Sequence, residues 1–256
     1  MDNTAVPAVR AAVRSTPAEL VLRTAALGEY FALPAPDEGE WQELAVLSRP
    51  ATIIDFVHRT RAAIAATAGC DIGEIPVRMA ASSFQLGIAA RLLSPAIGAA
   101  TCFGAMPVIT AAHVTWKAVA HHSPRLGMGD VEWTSAATAG TAARVISASV
   151  LTTILGPLND ALKSATALSP QVTWGNVISA ANGAVTVLAM SRPECEPRGR
   201  AIVRALMDTE HLTGAGSFVQ ERFVRRSCCL FYLAPRSGLC TDCVLASNRS
   251  QQRGRR

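Results

Sequence analysis

Apolar residues recur at helical spacing over most of the chain, which predicts a mainly α-helical protein. The first helix is predicted to begin at Thr16-Pro17-Ala18-Glu19 and to run to Gly28, because a capping threonine followed by Pro and Glu is a typical helix start. A loop over Pro34–Glu40 precedes a second helix around Trp41–Leu47. Further helices are predicted over Ala51–Thr67 with Gly69 as the C-terminal residue, and over Ser82–Leu93, Ala105–Ala120, Ser135–Ile154 and Asn176–Met190.

Two short segments carry alternating or aromatic residues instead of a helical pattern. Gly129–Thr134 and Gln171–Trp174 are predicted to form short strands that pair with each other. After Arg198, the spacing of Ile202, Val203, Leu206, Met207 and Leu212 predicts one more amphipathic helix, which ends at Thr213-Gly214.

The composition agrees with a helical fold. Half of the 256 residues are apolar, which is enough to bury a sizeable core. Alanine dominates the apolar set and aromatic residues make up only 5%, so the β-branched and aromatic clusters of an all-β protein are missing. The sequence therefore predicts a mainly α fold with a short β pair, followed by a small C-terminal module.

One uncharged stretch, Leu92–Trp116, is long enough to cross a bilayer. It contains Pro95, Pro107 and His113 among small residues, so a pair of buried core helices is favoured over a membrane span. The first fourteen residues, Met1–Arg14, lack a continuous apolar run with a cleavage site. We expect a cytoplasmic protein that does not span a membrane.

The predicted organisation has three parts. Residues 1–197 form the mainly helical domain, residues 198–245 form a connecting helix and the C-terminal module, and residues 246–256 form a disordered basic tail.

Four of the seven cysteines lie close together near the C-terminus, as Cys228-Cys229, ten residues, and Cys240-Thr241-Asp242-Cys243. A cytosolic protein keeps thiols reduced, so this cluster indicates metal ligation rather than a disulfide framework. The apolar run Leu230–Leu233 and the turn residues Ala234–Gly238 are predicted to fold the chain back, so that the two cysteine pairs converge. The other three cysteines, Cys70, Cys102 and Cys195, are isolated and are assigned no function.

The residue pattern alone leaves several cofactors open. The CxxC pair suits both zinc and iron–sulfur centres. Adjacent cysteines point in divergent directions, which is awkward for one tetrahedral zinc ion and easier for a two-iron cluster. Iron–sulfur, zinc and a redox disulfide all remain open on this reasoning.

Positive charge is concentrated after residue 221. The eight arginines there are Arg222, Arg225, Arg226, Arg236, Arg249, Arg253, Arg255 and Arg256. Such a cluster attracts nucleic acid, an anionic membrane or an anionic small molecule or protein. The alternative reading is therefore a non-enzymatic zinc module whose basic tail binds nucleic acid, although this reading leaves the large apolar body unexplained.

The cysteine module resembles the C-terminal module of the FhuF-type ferric-siderophore reductases, which has this CC-x10-CxxC arrangement. The resemblance includes Arg225, Arg226 and Asp242, whereas Thr241 stands where the family has glycine. Trp174-Gly175-Asn176 and Ser83–Pro95 are similar more weakly. The resemblance implies a [2Fe-2S] cluster ligated by Cys228, Cys229, Cys240 and Cys243.

The resemblance also implies an activity, the one-electron reduction of siderophore-bound Fe(III) to Fe(II), which releases the iron. The implied partners are a ferric siderophore, for example of the hydroxamate type, and an external electron donor such as a ferredoxin or a flavin reductase. No nucleic acid is expected as a partner, and membrane association is limited to peripheral contact. A siderophore pocket is hypothesised at four residues: Ser83, Arg91, Trp174 and Asn176.

Overall fold

A computed structural model describes residues 15–119 and 123–246. The predicted tail and the first fourteen residues lie outside this range, apart from Ala246. The mainly α fold is confirmed. The helices are α1 Pro17–Ala25, α2 Leu44–Leu47, α3 Pro50–Ala68, α4 Val77–Phe103, α5 Ala139–Ile146, α6 Gly156–Thr166, α7 Pro170–Ser191 and α8 Glu196–Met207, with a π-helical segment Ser147–Leu155 between α5 and α6.

The other regular elements are short antiparallel strands. They are β1 Gln42–Glu43, β2 Ala105–Pro107, β3 Val114–Lys117, β4 Arg125–Met128, β5 Trp133–Ser135, β6 Gly216–Val219 and β7 Arg222–Arg225. They form a three-stranded sheet in the order β1-β3-β4 and two pairs, β2-β5 and β6-β7.

Two helix ends behave as the sequence predicts. The Thr16 side chain and the Glu19 carboxylate bond each other's backbone amides in a capping box at the start of α1, which ends at Ala25, earlier than the predicted Gly28. Helix α3 ends at Gly69 in the left-handed conformation, φ 60°. Local capping chemistry therefore suffices to locate these ends.

Helix α4 is the centre of the fold. Apolar and small residues cover it on all sides, and it continues through Pro95 to Phe103, beyond the predicted end at Leu93. The Ser94 hydroxyl donates to the Ala90 carbonyl (2.6 Å) in this turn. A helix buried on all sides gains enough from packing to tolerate a proline.

The predicted helix Ala105–Ala120 is wrong. Gly104 ends α4 in the left-handed conformation, φ 67°, and the chain then forms β2, a 3-10 turn and β3. Residues in β3 alternate between buried and partly exposed, as in a strand with one covered face. The β-branched and aromatic residues Val114, Thr115 and Trp116 outweigh the alanines around them. The predicted core hairpin over Leu92–Trp116 is therefore one helix followed by strands.

The predicted strand Gln171–Trp174 is also wrong. Ser169 caps a helix by accepting from the Gln171 amide, and Pro170 occupies the first helical turn, so α7 starts there. The other predicted strand, Gly129–Thr134, is only partly right, since β5 covers Trp133–Ser135 and pairs with β2. A Ser-Pro start signal thus outweighs a four-residue aromatic pattern.

Two helical stretches are long and apolar enough to cross a membrane, Val77–Phe103 and Ala139–Thr166. In the most apolar window of each, 72% and 50% of the residues are buried inside the protein. The core helix of a folded protein passes the same length and composition test, and α4 is such a helix.

Candidate metal centre

The hairpin β6–β7 leads the chain into the cysteine module. Its two-residue turn, Gln220-Glu221, has positive φ at both positions, 49° and 64°. This is the backbone of a type I′ turn, which usually carries Asn or Gly, and for this reason sequence reasoning missed the hairpin. The turn directs β7 back toward the helices, and Arg225 at its end is 1% exposed.

The segment between the cysteine pairs folds back as predicted. Leu230 has positive φ, 68°, and a 3-10 turn follows over Phe231–Leu233. The Ser237 amide donates to the Ala234 carbonyl (3.2 Å), which closes a β-turn with Pro235 in its second position. The chain therefore returns Cys240 to Cys229.

The module thiols lie together. The Sγ atoms of Cys229 and Cys240 are 3.5 Å apart, and Cys228 and Cys240 each lie within electrostatic range of Cys243. Backbone amides also point at sulfur, since the Leu230 amide donates to Cys228 Sγ at 3.3 Å. No group of three or more His, Cys, Asp or Glu side chains surrounds a single-ion position in residues 15–119 and 123–246.

The pKa values of the module thiols are shifted in different directions. The hydrogen bond between Cys229 and Cys240 lowers the pKa of Cys229 to about 6, and amide donors and Arg225 lower it further. The same hydrogen bond, followed by burial, raises the pKa of Cys240. Burial raises the pKa of Cys228. Metal ligation requires thiolates, so metal binding at this site displaces protons.

Arg225 connects the thiols to the helices beneath them. Its Nη2 donates to Asn176 Oδ1 on α7 (2.5 Å), and the Asn176 amide donates to the Ser82 carbonyl on α4 (3.0 Å). The Ser82 hydroxyl donates to the Cys229 carbonyl (2.8 Å). Burial lowers the pKa of Arg225, while the nearby thiols oppose this shift. A buried network therefore runs from both long helices to the cysteine backbone.

The module sits directly on the first turns of α7. The Ser227 hydroxyl donates to the Gln171 carbonyl (2.6 Å), and a Cβ at Gly175 would collide with Ser227 Oγ. One turn further on, the Ser179 hydroxyl donates to Asp242 Oδ2 (2.9 Å). Burial raises the pKa of Asp242. The lack of a side chain at Gly175 therefore leaves room for the Ser227 and Arg225 side chains.

Three of the four residues hypothesised to line a siderophore pocket make other contacts in the structure. Asn176 is fully buried in the Arg225 network, and Trp174 stacks on His211 with ring centroids 4.7 Å apart. Arg91 instead bonds Ser123 and the Pro124 carbonyl. The weak family similarity at Trp174-Gly175-Asn176 therefore reflects contacts between α7 and the module, at Arg225 and Ser227, and not a substrate pocket.

The outer face of the module is exposed. Phe231, Tyr232 and Leu233 are 43%, 45% and 38% exposed. The basic side chains Arg222, Arg226 and Arg236 are also exposed. We call this surface, Phe231–Leu233 with the three arginines, the module face.

Residues 225–245 match the family described as FhuF 2Fe-2S C-terminal domain. The C-terminal module therefore belongs to this family of iron–sulfur domains, and its cofactor is a [2Fe-2S] cluster. The chain as a whole has no significant match among curated proteins. The match begins at Arg225, the residue that anchors the module to α7.

The residues present fit this cluster. Thiols meeting in a pair suit a centre with two irons, and amide donors to sulfur stabilise an anionic cluster. Arg225 Nε is buried and has no hydrogen-bond partner within the described part of the chain, while electrostatically it faces Cys229 and Cys240. A buried cation near the thiolates of Cys228, Cys229 and Cys240 offsets part of their negative charge.

Proposed function

We propose that the protein is an iron–sulfur oxidoreductase that reduces siderophore-bound Fe(III) to Fe(II). The observation that carries this proposal is the FhuF-type domain match over residues 225–245, where the thiols converge. Siderophores hold Fe(III) with hard oxygen ligands, and the lower charge of Fe(II) weakens that binding. Reduction of the substrate iron is therefore also its release.

We infer that Cys228, Cys229, Cys240 and Cys243 are the cluster ligands. When bound, a [2Fe-2S] cluster supplies one electron at a time, which matches the one electron needed by each Fe(III). The amide of Leu230 and the guanidinium of Arg225 stabilise negative charge on the sulfur atoms. Ser82 fixes the backbone of Cys229 against α4.

The module face suits the approach of external partners. Cys228 and Cys240 are partly exposed, so the thiol site lies near solvent. Exposed arginines attract an anionic ferric chelate or an acidic electron-transfer protein such as a ferredoxin. We propose a ferric siderophore as substrate and a ferredoxin or flavin reductase as electron donor, with no nucleic acid partner.

We propose a cytoplasmic protein whose membrane association is limited to peripheral contact. The most apolar window of α4 is mostly buried against other parts of the chain. A lipid-exposed position would require that the surrounding core open.

The activity is tested with anaerobically purified protein whose iron and acid-labile sulfide have been measured. The cluster is reduced with dithionite, excess reductant is removed, and a ferric hydroxamate siderophore is added while visible absorption and Fe(II) are followed. We expect two irons and two sulfides per chain, and reoxidation with one Fe(II) formed per cluster.

Two variants sharpen this test. Cys243→Ser removes a proposed ligand and should abolish the visible spectrum and the Fe(II) signal, whereas Cys70→Ser, outside the module, should retain both. A red-brown protein whose reduced cluster leaves the ferric siderophore unreduced would refute the reductase. A colourless protein that carries zinc would instead support the zinc-module alternative.

A further inference from the structure

Two cysteines outside the module meet in the folded protein. Cys102 lies in the last turn of α4, and Cys195 lies just before α8, 93 positions later in the sequence. Their Sγ atoms are 3.2 Å apart, and both residues are partly exposed. The third isolated cysteine, Cys70, also has a free thiol. No pattern in the sequence predicts that Cys102 and Cys195 are in contact.

The surroundings of this pair suit thiol chemistry. Arg198 lies beside both thiols and is held by hydrogen bonds to the Ala100 carbonyl (3.0 Å) and the Ala136 carbonyl (2.5 Å). Arg192 also acts on Cys102, and Glu194 opposes it. Cationic groups beside a cysteine favour the thiolate, which is the reactive form.

The pair is remote from the metal centre and joins α4 to the segment that follows α7. Asn176 on α7 bonds Ser82 on α4 beside the module, and Cys195 meets Cys102 about twenty residues later along both segments. A helix rises 1.5 Å per residue, so the pair lies roughly 30 Å from Ser82. These thiols are therefore too far away to be cluster ligands.

We propose that Cys102 and Cys195 form a reversible disulfide that ties the C-terminal end of α4 to the segment after α7. The oxidant is a low-molecular-weight disulfide. The bond would close a long loop through two central helices, and such links restrict the unfolded chain most strongly. The proposal is independent of the reductase activity.

The exchange has two steps. Cys195 lies just before α8, with its Sγ 4.0 Å from Glu194 Oε1, and it attacks first because Cys102 is the thiol that holds its proton more tightly. After losing its proton to solvent, the Cys195 sulfur bonds one sulfur of the small disulfide, whose other half leaves as a thiolate. Cys102 then loses its proton, attacks the Cys195 sulfur and expels the second thiolate. Two protein thiols are thereby oxidised and one small disulfide is reduced to two thiols.

The properties of Cys102 support its role as the second thiol. Burial, followed by the hydrogen bond with Cys195, raises the pKa of Cys102 to about 12. It therefore keeps its proton until a mixed disulfide on Cys195 is already in contact with it.

The test uses the holoprotein with its cluster in place. Glutathione disulfide is added under anaerobic conditions, free thiols are alkylated, and peptides are mapped by mass spectrometry before and after dithiothreitol treatment. We expect a peptide pair linked through Cys102 and Cys195 that disappears on reduction. Stable glutathione adducts without this link, unreacted thiols, or links confined to the module cysteines would each overturn the proposal.

Single variants identify the two roles. Cys102→Ser should retain a stable glutathione adduct on Cys195, because the second thiol is missing. Cys195→Ser should lose the link and react several-fold more slowly at Cys102. Cys70→Ser is the matched control and should form the link as the unmodified chain does. If a variant fails to fold, peptide mapping of the unmodified chain still decides the proposal.

Discussion

At the scale of single residues, Arg225 is the side chain that most directly links the body to the metal centre. It is almost fully buried, yet it has no carboxylate partner among the hydrogen bonds formed by the described residues, and its charge faces Cys229 and Cys240. A buried charge is tolerated only where opposite charge offsets its desolvation. A bound anionic cluster would supply that charge together with the nearby Asp242 carboxylate, so Arg225 should act on the reduction potential of the cluster.

Arg225→Met, which keeps the volume and removes the charge, should lower the reduction potential of the cluster. The reduced cluster is the more negative form and loses more stabilisation when the cation is removed, by an amount on the order of tens of mV. The measurement is a dye-mediated titration of the visible spectrum.

The neighbouring Arg226 provides the matched control, because it is exposed and its charge is screened by water and salt. Arg226→Met should leave the potential nearly unchanged, and Arg225→Lys should restore most of the original value. Equal shifts in Arg225→Met and Arg226→Met would show that only the overall surface charge matters.

At the scale of elements, α7 serves as the seat of the module. The groups that hold the module lie on successive turns of this helix, where Gln171, Gly175 and Ser179 are spaced four residues apart and share one face. These groups are the Gln171 carbonyl, Asn176 and Ser179, with Gly175 between them. The absence of a side chain at Gly175 lets Ser227 approach the helix.

Gly175→Ala should therefore weaken the attachment of the module although alanine favours helices. The added methyl group collides with Ser227 Oγ and lies 3.1 Å from Arg225 Nη2. Overpacking of this kind costs about 1–3 kcal/mol. Thermal unfolding followed at the visible band of the cluster should show the loss.

Gly183→Ala is the control on the same helix, since a Cβ there meets nothing within 4 Å. It should be neutral or stabilise the protein by up to about 1 kcal/mol. The double variant Gly175→Ala/Ser227→Ala should recover part of the loss. A Gly175→Ala protein with unchanged stability and an unchanged cluster would mean that the module moves away from α7 without loss of unfolding free energy.

The errors of the sequence predictions have a common physical cause. Short-range signals such as the Thr16 capping box, the Gly69 terminator and the Pro235 turn are confirmed, because neighbouring residues alone determine them. The extent of α4 through Pro95 depends on packing from all sides, and pattern reasoning does not see that packing. The Cys102–Cys195 contact was missed for the same reason, since it joins segments far apart in sequence.

The cysteine site shows the opposite case. Its ligand spacing and its fold-back are local, so the sequence predicted that the two cysteine pairs converge, and the structure brings Cys229 and Cys240 together. The seat on α7 and the Arg225–Asn176–Ser82 network are long-range features and were not predicted, although Trp174-Gly175-Asn176 was noted as similar to the family. Only the structure shows that this patch supports the module.

At the scale of the whole molecule, a large apolar body carries a module with little core of its own. The helices share one continuous core, which includes Ile202, Val203 and Leu206 of α8. Within residues 228–245, the buried side chains are only Cys229, Ala234 and Cys243. Hydrophobic burial therefore stabilises the body, whereas the module depends on the cluster and on its hydrogen bonds to α4 and α7.

Removal of the cluster should therefore loosen the module and leave the body folded. The measurement is hydrogen exchange of the holoprotein and of protein stripped of iron by an oxidant and a chelator, with far-UV circular dichroism in parallel. Exchange should rise over residues 225–245 and in the first turns of α7, with little change in helical signal. Cys243→Ser, which lacks a proposed ligand, should reproduce this pattern without chemical treatment.

The same data test the predicted division at residues 197 and 198. If α8 stays protected, it belongs to the body, as its buried residues lead us to expect, and if it exchanges with residues 225–245, the predicted unit 198–245 is supported. Exchange that rises throughout α4 would contradict a separable module, because body and module would then unfold together.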